Sequence, residues 1–163
     1  MLNHKKLQAV AEFLIARNET LAVAESVTAG LLTAGLSLST NATSFLQGGL
    51  IAYNLGQKTK QLGIEPIHAE RVNCVSEAVA REMARSVSER FCSQWGIGVT
   101  GYAVPVPALK IRKCYAIFSF SFNGQAAYTA RVETALKGQA NVQQYFVTNI
   151  VDSFLDHVEK FRQ

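Results

Sequence analysis

From Leu2 to Arg17, apolar Leu7, Val10, Ala11, Leu14 and Ile15 recur at helical spacing, while His4, Lys5, Lys6, Gln8 and Glu12 fill the opposite face. This is the stripe of an amphipathic helix with one side on a core. A short apolar run, Thr20 to Ala24, predicts a buried strand, and the small residues from Val27 to Leu36 predict a helix after it. Asn41 to Thr43 reads as a loop, and Phe45 to Tyr53 as a second strand carrying Gly48-Gly49, where a bulge or a close backbone approach is expected. A short helix, Gln57 to Leu62, closes on Gly63, and a short linker follows it. Ser76 is placed to cap a helix in which Val79, Met83 and Val87 repeat every four residues. Trp95 to Gly101 predicts a third strand. Lys113 to Phe122 and Gln125 to Glu133 predict a hairpin turning on Asn123-Gly124. The last pattern, Gln139 to Phe161, lines up Val142, Phe146, Ile150, Phe154 and Val158 on one helical side. Interleaved helices and strands with one forced antiparallel pair predict an α/β fold, a mixed sheet covered by helices on both faces.

Composition narrows this picture. A chain of 163 residues suits one domain, taken as 1–163, and 48% apolar against 17% charged residues is enough for a sizeable core. The net charge of +4 tolerates an anionic ligand. The basic residues are scattered and not interleaved with aromatics, so no nucleic-acid partner is expected. Cys74, Cys92 and Cys114 have neither C-x-x-C spacing nor a His/Cys cluster, which predicts buried, reduced thiols and no metal site. No run is long enough for a membrane span and the first residues lack a signal-peptide pattern, so a cytoplasmic protein is expected. A domain of this size often completes its surface as a homo-oligomer.

The candidate chemistry begins at Ala22-Val23-Ala24-Glu25-Ser26-Val27-Thr28-Ala29-Gly30-Leu31-Leu32, an apolar strand running into small polar residues and then a helix. A serine at such a turn lies near amides without intrahelical acceptors, which can hold the oxyanion of a tetrahedral intermediate. It can equally be an ordinary helix N-cap. The segment lacks G-x-S-x-G, and the chain contains no P-loop. Further on, Gly48-Gly49-Leu50-Ile51-Ala52-Tyr53 is followed by Lys58. Taken singly, Lys58 reads as a solvated lysine and Tyr53 as an amphipathic rim residue.

Together these segments resemble the CinA C-terminal domain family. The resemblance runs through Ala-Glu-Ser-x-Thr-x-Gly, Gly-Gly-x-x-x-Tyr, the stretch Lys58 to Gly63, the helix opening Val75-Ser76-Glu77-Ala78-Val79-Ala80, and Thr100-Gly101 after a strand. It implies a three-layer α/β/α domain. It also implies a nicotinamide-nucleotide amidohydrolase that converts nicotinamide mononucleotide to nicotinic acid mononucleotide and ammonia, with no metal or other cofactor. Ser26 matches the family's nucleophile, Lys58 its lysine and Tyr53 its tyrosine. Lysine serves as the base only when neutral, and tyrosine would orient it or relay a proton. Amides around Thr28 and Ala29 would hold the oxyanion. Glu25, Gly30, Thr100 and Gly101 would complete the surroundings, with Glu25 either facing the ligand or pairing structurally. Longer relatives carry an additional N-terminal domain, so an activity needing it is not expected.

Departures concentrate in one loop. Where the family has Thr-Gly-x-Ala-Gly-Pro-Gly-Gly, this chain reads Thr100-Gly101-Tyr102-Ala103-Val104-Pro105-Val106-Pro107. Valines disfavour positive φ and prolines lack an amide donor, so the loop must follow another path. Lys110-Ile111-Arg112-Lys113 replaces the Gly-Thr pair that tends to enter the next strand, Ala29 replaces a common glycine, and Lys137 to Asn141 offers no arginine. Two readings follow. Either Lys110, Arg112 or Lys113 takes over anion binding in a working enzyme, or the serine turn persists in a ligand-binding or interaction protein without turnover.

Overall fold

A computed structural model describes residues 2–160. In chain order its elements are α1 (His4–Ala16), β1 (Leu21–Glu25), α2 (Leu31–Ser37), β2 (Leu46–Ile51), α3 (Leu55–Leu62), α4 (Pro66–Arg71), α5 (Glu77–Arg90), β3 (Trp95–Tyr102), β4 (Cys114–Phe122), β5 (Gln125–Thr134) and α6 (Gln139–Glu159). Single 3-10 turns occupy Ala42–Ser44 and Pro107–Leu109. The five strands form one sheet in the order β2-β1-β3-β4-β5. β1 is parallel to β2 and β3, and β4 and β5 are antiparallel additions. The expected mixed sheet is present.

Helices cover both faces. On one, α1, α2 and α6 bury Leu14, Leu36, Phe146, Ile150 and Phe154 against Leu21, Val23, Ile97, Val99, Phe118 and Phe120. On the other, α3, α4 and α5 bury Leu62, Ala69, Val79, Met83 and Val87 against Ala22 and Ala24. Alternation along β1 therefore sends odd positions under α1, α2 and α6 and even positions under α3, α4 and α5. Close packing on the second face depends on small residues: a Cβ at Gly96 or Gly98 would lie 2.0 Å from the Ala84 carbonyl oxygen or 2.4 Å from that of Ala80.

Local signals largely act as read. Ser76 caps α5 through the Val79 amide, and Asn3, not singled out from the sequence, caps α1 by accepting from the Lys5 and Lys6 amides. Asn123 and Gly124 adopt φ of 49° and 77°, as a tight hairpin turn with the strands' own twist requires. The β1–β2 register shifts between Leu21 and Ala22, whose partners are Leu46 and Gly48, so the bulge falls beside the glycine pair.

Several boundaries differ. The helix expected from Val27 starts at Leu31, because Ala29 and Gly30 take left-handed φ of 50° and 94°. β2 stops at Ile51, short of Tyr53, and α3 begins at Leu55, since Asn54 caps it by accepting from the Gln57 amide. The linker before Val75 contains α4, with Pro66 in its first turn and Glu65 capping the amides of Ile67 and His68. Of the cysteines, Cys114 is buried, Cys74 half-buried and Cys92 exposed, so the uniform burial expected does not hold. The end expected for the last helix, Phe161, lies outside the described residues. Among those described, no helix is long and apolar enough to cross a membrane.

Candidate functional site

Ser26 directly follows β1, and its amide donates to the Val99 carbonyl at 3.1 Å, carrying the β1–β3 pairing one step further. As an even position it faces the α3–α5 side. There the first turn of α3 delivers Lys58, whose side chain is only 1% exposed. Lys58 Nζ donates to Ser26 Oγ at 2.9 Å and to the Ala52 carbonyl at 2.8 Å. No carboxylate pairs with it among the described residues. Burial lowers its pKa from the ordinary 10.5, and the nearby Cys74 works in the opposite direction. The solvated-lysine reading is thus overturned: a buried amine, whose charged form burial disfavours, contacts a serine hydroxyl.

The turn after Ser26 has most of its amides occupied. Glu25 reaches the other sheet face, where its carboxylate accepts from the amides of Gly30 (3.0 Å), Leu32 (3.1 Å) and Thr33 (2.8 Å) and from Thr33 Oγ1 (2.6 Å). The Ala29 amide donates to the Ser26 carbonyl and that of Leu31 to Thr28. The amides of Val27 and Thr28 donate to no acceptor among the described residues. Thr28 Oγ1 is buried beside them without a hydrogen-bond partner among the described residues. Gln143 of α6 anchors the turn by donating to the Val27 carbonyl at 2.9 Å. The donor pair open for an oxyanion is therefore Val27 and Thr28, one residue earlier than the pair around Thr28 and Ala29 read from the sequence.

Other expected residues take different places. Tyr53 is 61% exposed and makes no hydrogen bond to Lys58 or Ser26; the carbonyl of its neighbour Ala52 orients the lysine. Thr100 is buried and donates to the Cys74 carbonyl at 2.8 Å, pinning the segment between α4 and α5 beside the lysine. Gly101 is required by a close approach, since a Cβ there would meet the Tyr115 carbonyl oxygen at 2.2 Å. Lys113 pairs with Glu133 at 3.3 Å, and Lys110 is exposed beyond the 3-10 turn with φ of 59°.

The divergent loop folds back on itself, with Val106 and Ile111 exchanging amide–carbonyl hydrogen bonds of 3.0 and 3.1 Å. Between this hairpin and the start of α6 lies a cleft of about 450 Å³, lined by Val104, Pro105, Arg112, Lys113, Lys137 and Gly138 among others. Among the described residues, no acidic side chain lines it. Arg112 and Lys137 form no ion pair among the described residues. The start of α6 has no side-chain cap and no acidic residue in its first turn. Lys110 lines an adjoining groove with Pro107 and Arg112. Sequence reasoning did not single out the Val27 amide or the Ala52 carbonyl, because main-chain groups carry no residue-type signal. No group of three or more His, Cys, Asp or Glu side chains that could hold a metal ion occurs among the described residues.

Comparison with known proteins agrees with this architecture. Residues 3–157 match the family model of the CinA C-terminal domain. A CinA-like protein of Synechocystis is 45% identical over 96 residues, and one of Thermosynechococcus vestitus is 43% identical over 96 residues. Each match covers 59% of this chain and 23% of the relative, so the chain matches under a quarter of those proteins' length. The crystal structure of a competence-damaged protein (CinA) superfamily protein from Escherichia coli superposes with a TM-score of 0.85 at 28% identity, covering 93% of this chain and 88% of that one. Competence damage-inducible protein A of Klebsiella pneumoniae shares the fold at a TM-score of 0.83 and 24% identity, over 98% of both chains. With a family match spanning nearly every element and a solved superfamily member superposing over most of the chain, the chain belongs to the CinA C-terminal domain family.

Proposed function

We propose that this protein is an amidohydrolase that converts nicotinamide mononucleotide, or a related nucleotide-linked amide, to the corresponding acid and ammonia. The observation that carries the reading is the buried 2.9 Å contact between Lys58 Nζ and Ser26 Oγ. In its neutral form the amine accepts the hydroxyl proton while Oγ attacks the carboxamide carbon. The oxyanion forms against the amides of Val27 and Thr28. The Lys58 ammonium then returns its proton to the departing nitrogen as the C–N bond breaks, leaving an ester on Ser26 and free ammonia. Water, deprotonated by the same amine, attacks the ester, and the ammonium returns that proton to Ser26 Oγ as the acid is released. No cofactor enters these steps.

The substrate's phosphate fits the cleft between the loop and α6, where Arg112, Lys137 and the open amides at the start of α6 supply positive potential and Lys113, shared with Glu133, adds to it. Lys110 borders this region from the neighbouring groove. Tyr53, exposed at the rim, is assigned to the ligand's surroundings and not to proton transfer. The test is ammonia release from nicotinamide mononucleotide by the purified protein beside Ser26→Ala. Serine-dependent release is expected, and release that survives the substitution removes Ser26 from the reaction.

One observation favours a second reading. The Val104–Arg112 segment forms a self-bonded hairpin where the family carries a glycine-rich loop, as in a domain that retains the serine turn and binds a ligand without turnover. A folded protein that binds the nucleotide and releases no ammonia would decide for it.

A further inference from the structure

The ends of β1 and β3 diverge. From β1 the chain leaves toward α2 on one sheet face, and from β3 it turns away into the loop leading to β4. In sheets of this type, the space outside the carboxyl ends of two such strands is the crevice where ligands lodge. β3 also outruns its neighbour: Glu25, the last residue of β1, pairs with Val99, while β3 continues to Tyr102. Among the described residues, no strand fills the space beside Tyr102 on the side of Ser26.

Tyr102 lies on the Lys58 face of the sheet, because Thr100 on that face contacts Cys74 and Tyr102 follows at the same parity. Strand geometry places its Cα about 8 Å from that of Ser26, from spacings of ~4.8 Å between strands and ~3.3 Å per residue. That is the scale of one six-membered ring with its carboxamide.

The phenol is held at two points, its hydroxyl and its ring. Its hydroxyl accepts from Asn73 Nδ2 at 2.9 Å. Its ring meets that of Tyr115, the directly paired residue on β4, at 5.4 Å and 65°. The Arg131 guanidinium covers the Tyr115 ring at 3.8 Å. Tyr102 and Tyr115 remain half-buried, so the assembly is braced without being enclosed. Aromatic rings fixed in this way give contact area with little entropy left to lose on binding.

We infer that Tyr102 is the aromatic wall of the site, recognising the planar ring that bears the scissile carboxamide, and that Asn73, Tyr115 and Arg131 are its positioning residues. This rests on the amidohydrolase reading for the identity of the ligand, and it extends that reading to a specificity for aromatic over saturated carboxamides. Lys58 and Ser26 act on the amide, which every such substrate shares; the ring is what Tyr102 distinguishes.

The test uses calorimetric binding in a Ser26→Ala background, with two stable ligands of equal charge: the 5′-phosphate of a benzamide C-riboside and its cyclohexanecarboxamide counterpart. Tyr102→Ala is expected to weaken the benzamide compound at least about 10-fold, the scale of ring stacking on an aromatic side chain. It should change the cyclohexane compound less than about twofold, and Tyr102→Phe should retain the preference. Thermal melts confirm that each variant is folded. Equal losses for the two ligands, no loss for either, or no binding of either before Tyr102 is changed would overturn the inference. Failure of the amidohydrolase reading has a separate signature, ring-selective binding by a protein that releases no ammonia from nicotinamide mononucleotide.

Discussion

Glu25 and Ser26 are consecutive residues that serve opposite faces of the sheet. The Glu25 carboxylate turns toward α2 and binds its first amides, while the Ser26 hydroxyl turns toward α3 and meets Lys58 at 2.9 Å. Strand alternation makes this division possible in adjacent positions. One residue shapes the turn and the next supplies its reactive group.

Lys58 controls a pH dependence whose sign follows from its burial. The unfolded chain holds this proton up to about 10.5, and the folded chain releases it at lower pH. Between those two values the unfolded state binds more protons, so stability rises with pH across that window. Below it both states are protonated, and the full cost of burying the charge is present. The rate should rise with pH through the same folded-state pKa as the neutral amine becomes populated. Urea titrations and kcat/KM profiles check both. Lys58→Met should lower kcat by about 10²–10⁴-fold and abolish the pH-linked gain in stability.

Glu25→Gln should destabilise the protein by about 2–3 kcal/mol, because an amide replaces one acceptor oxygen with a donor that faces backbone N–H groups. Chemical denaturation measures the loss. If α2 were capped without Glu25, the variant would unfold at the parent's midpoint.

Ala29 takes φ of 50° on the exposed side of the turn. Glycine adopts this conformation without the Cβ clash, at the cost of greater freedom in the unfolded chain. Ala29→Gly should therefore stabilise by about 0.5–1 kcal/mol, read as a rise in melting temperature, and leave the Ser26–Lys58 contact in place. A fall in melting temperature would mean that the turn is not strained at this position.

Arg112 and Lys137 are the cleft cations without carboxylate partners among the described residues. Replacing both with alanine should raise KM for a phosphate-bearing amide by at least about 10-fold and change kcat little, since the phosphate is remote from the reacting carbon. A substrate amide without phosphate should be unaffected. Comparable losses for both substrates would place the anion elsewhere.

The sequence by itself determined the layered α/β arrangement and the location of the serine turn. Helical stripes, the Asn123-Gly124 turn and the Ser76 cap are local signals, and local contacts enforce them. It also brought Ser26 and Lys58 forward together, through motif order and not through any spacing that implies contact. Only the tertiary structure decided what those residues meet. Lysine carries no sequence mark of burial, and Lys58 is buried because α3 packs over the ends of β1 and β2, where the Ala52 carbonyl holds it. Glu25 read equally well as a ligand contact or a structural pair, and the start of α2 took its oxygens. The Val27 and Thr28 amides are open because Glu25 and local turn bonds satisfy their neighbours, a result of three-dimensional hydrogen-bond accounting that no residue type announces.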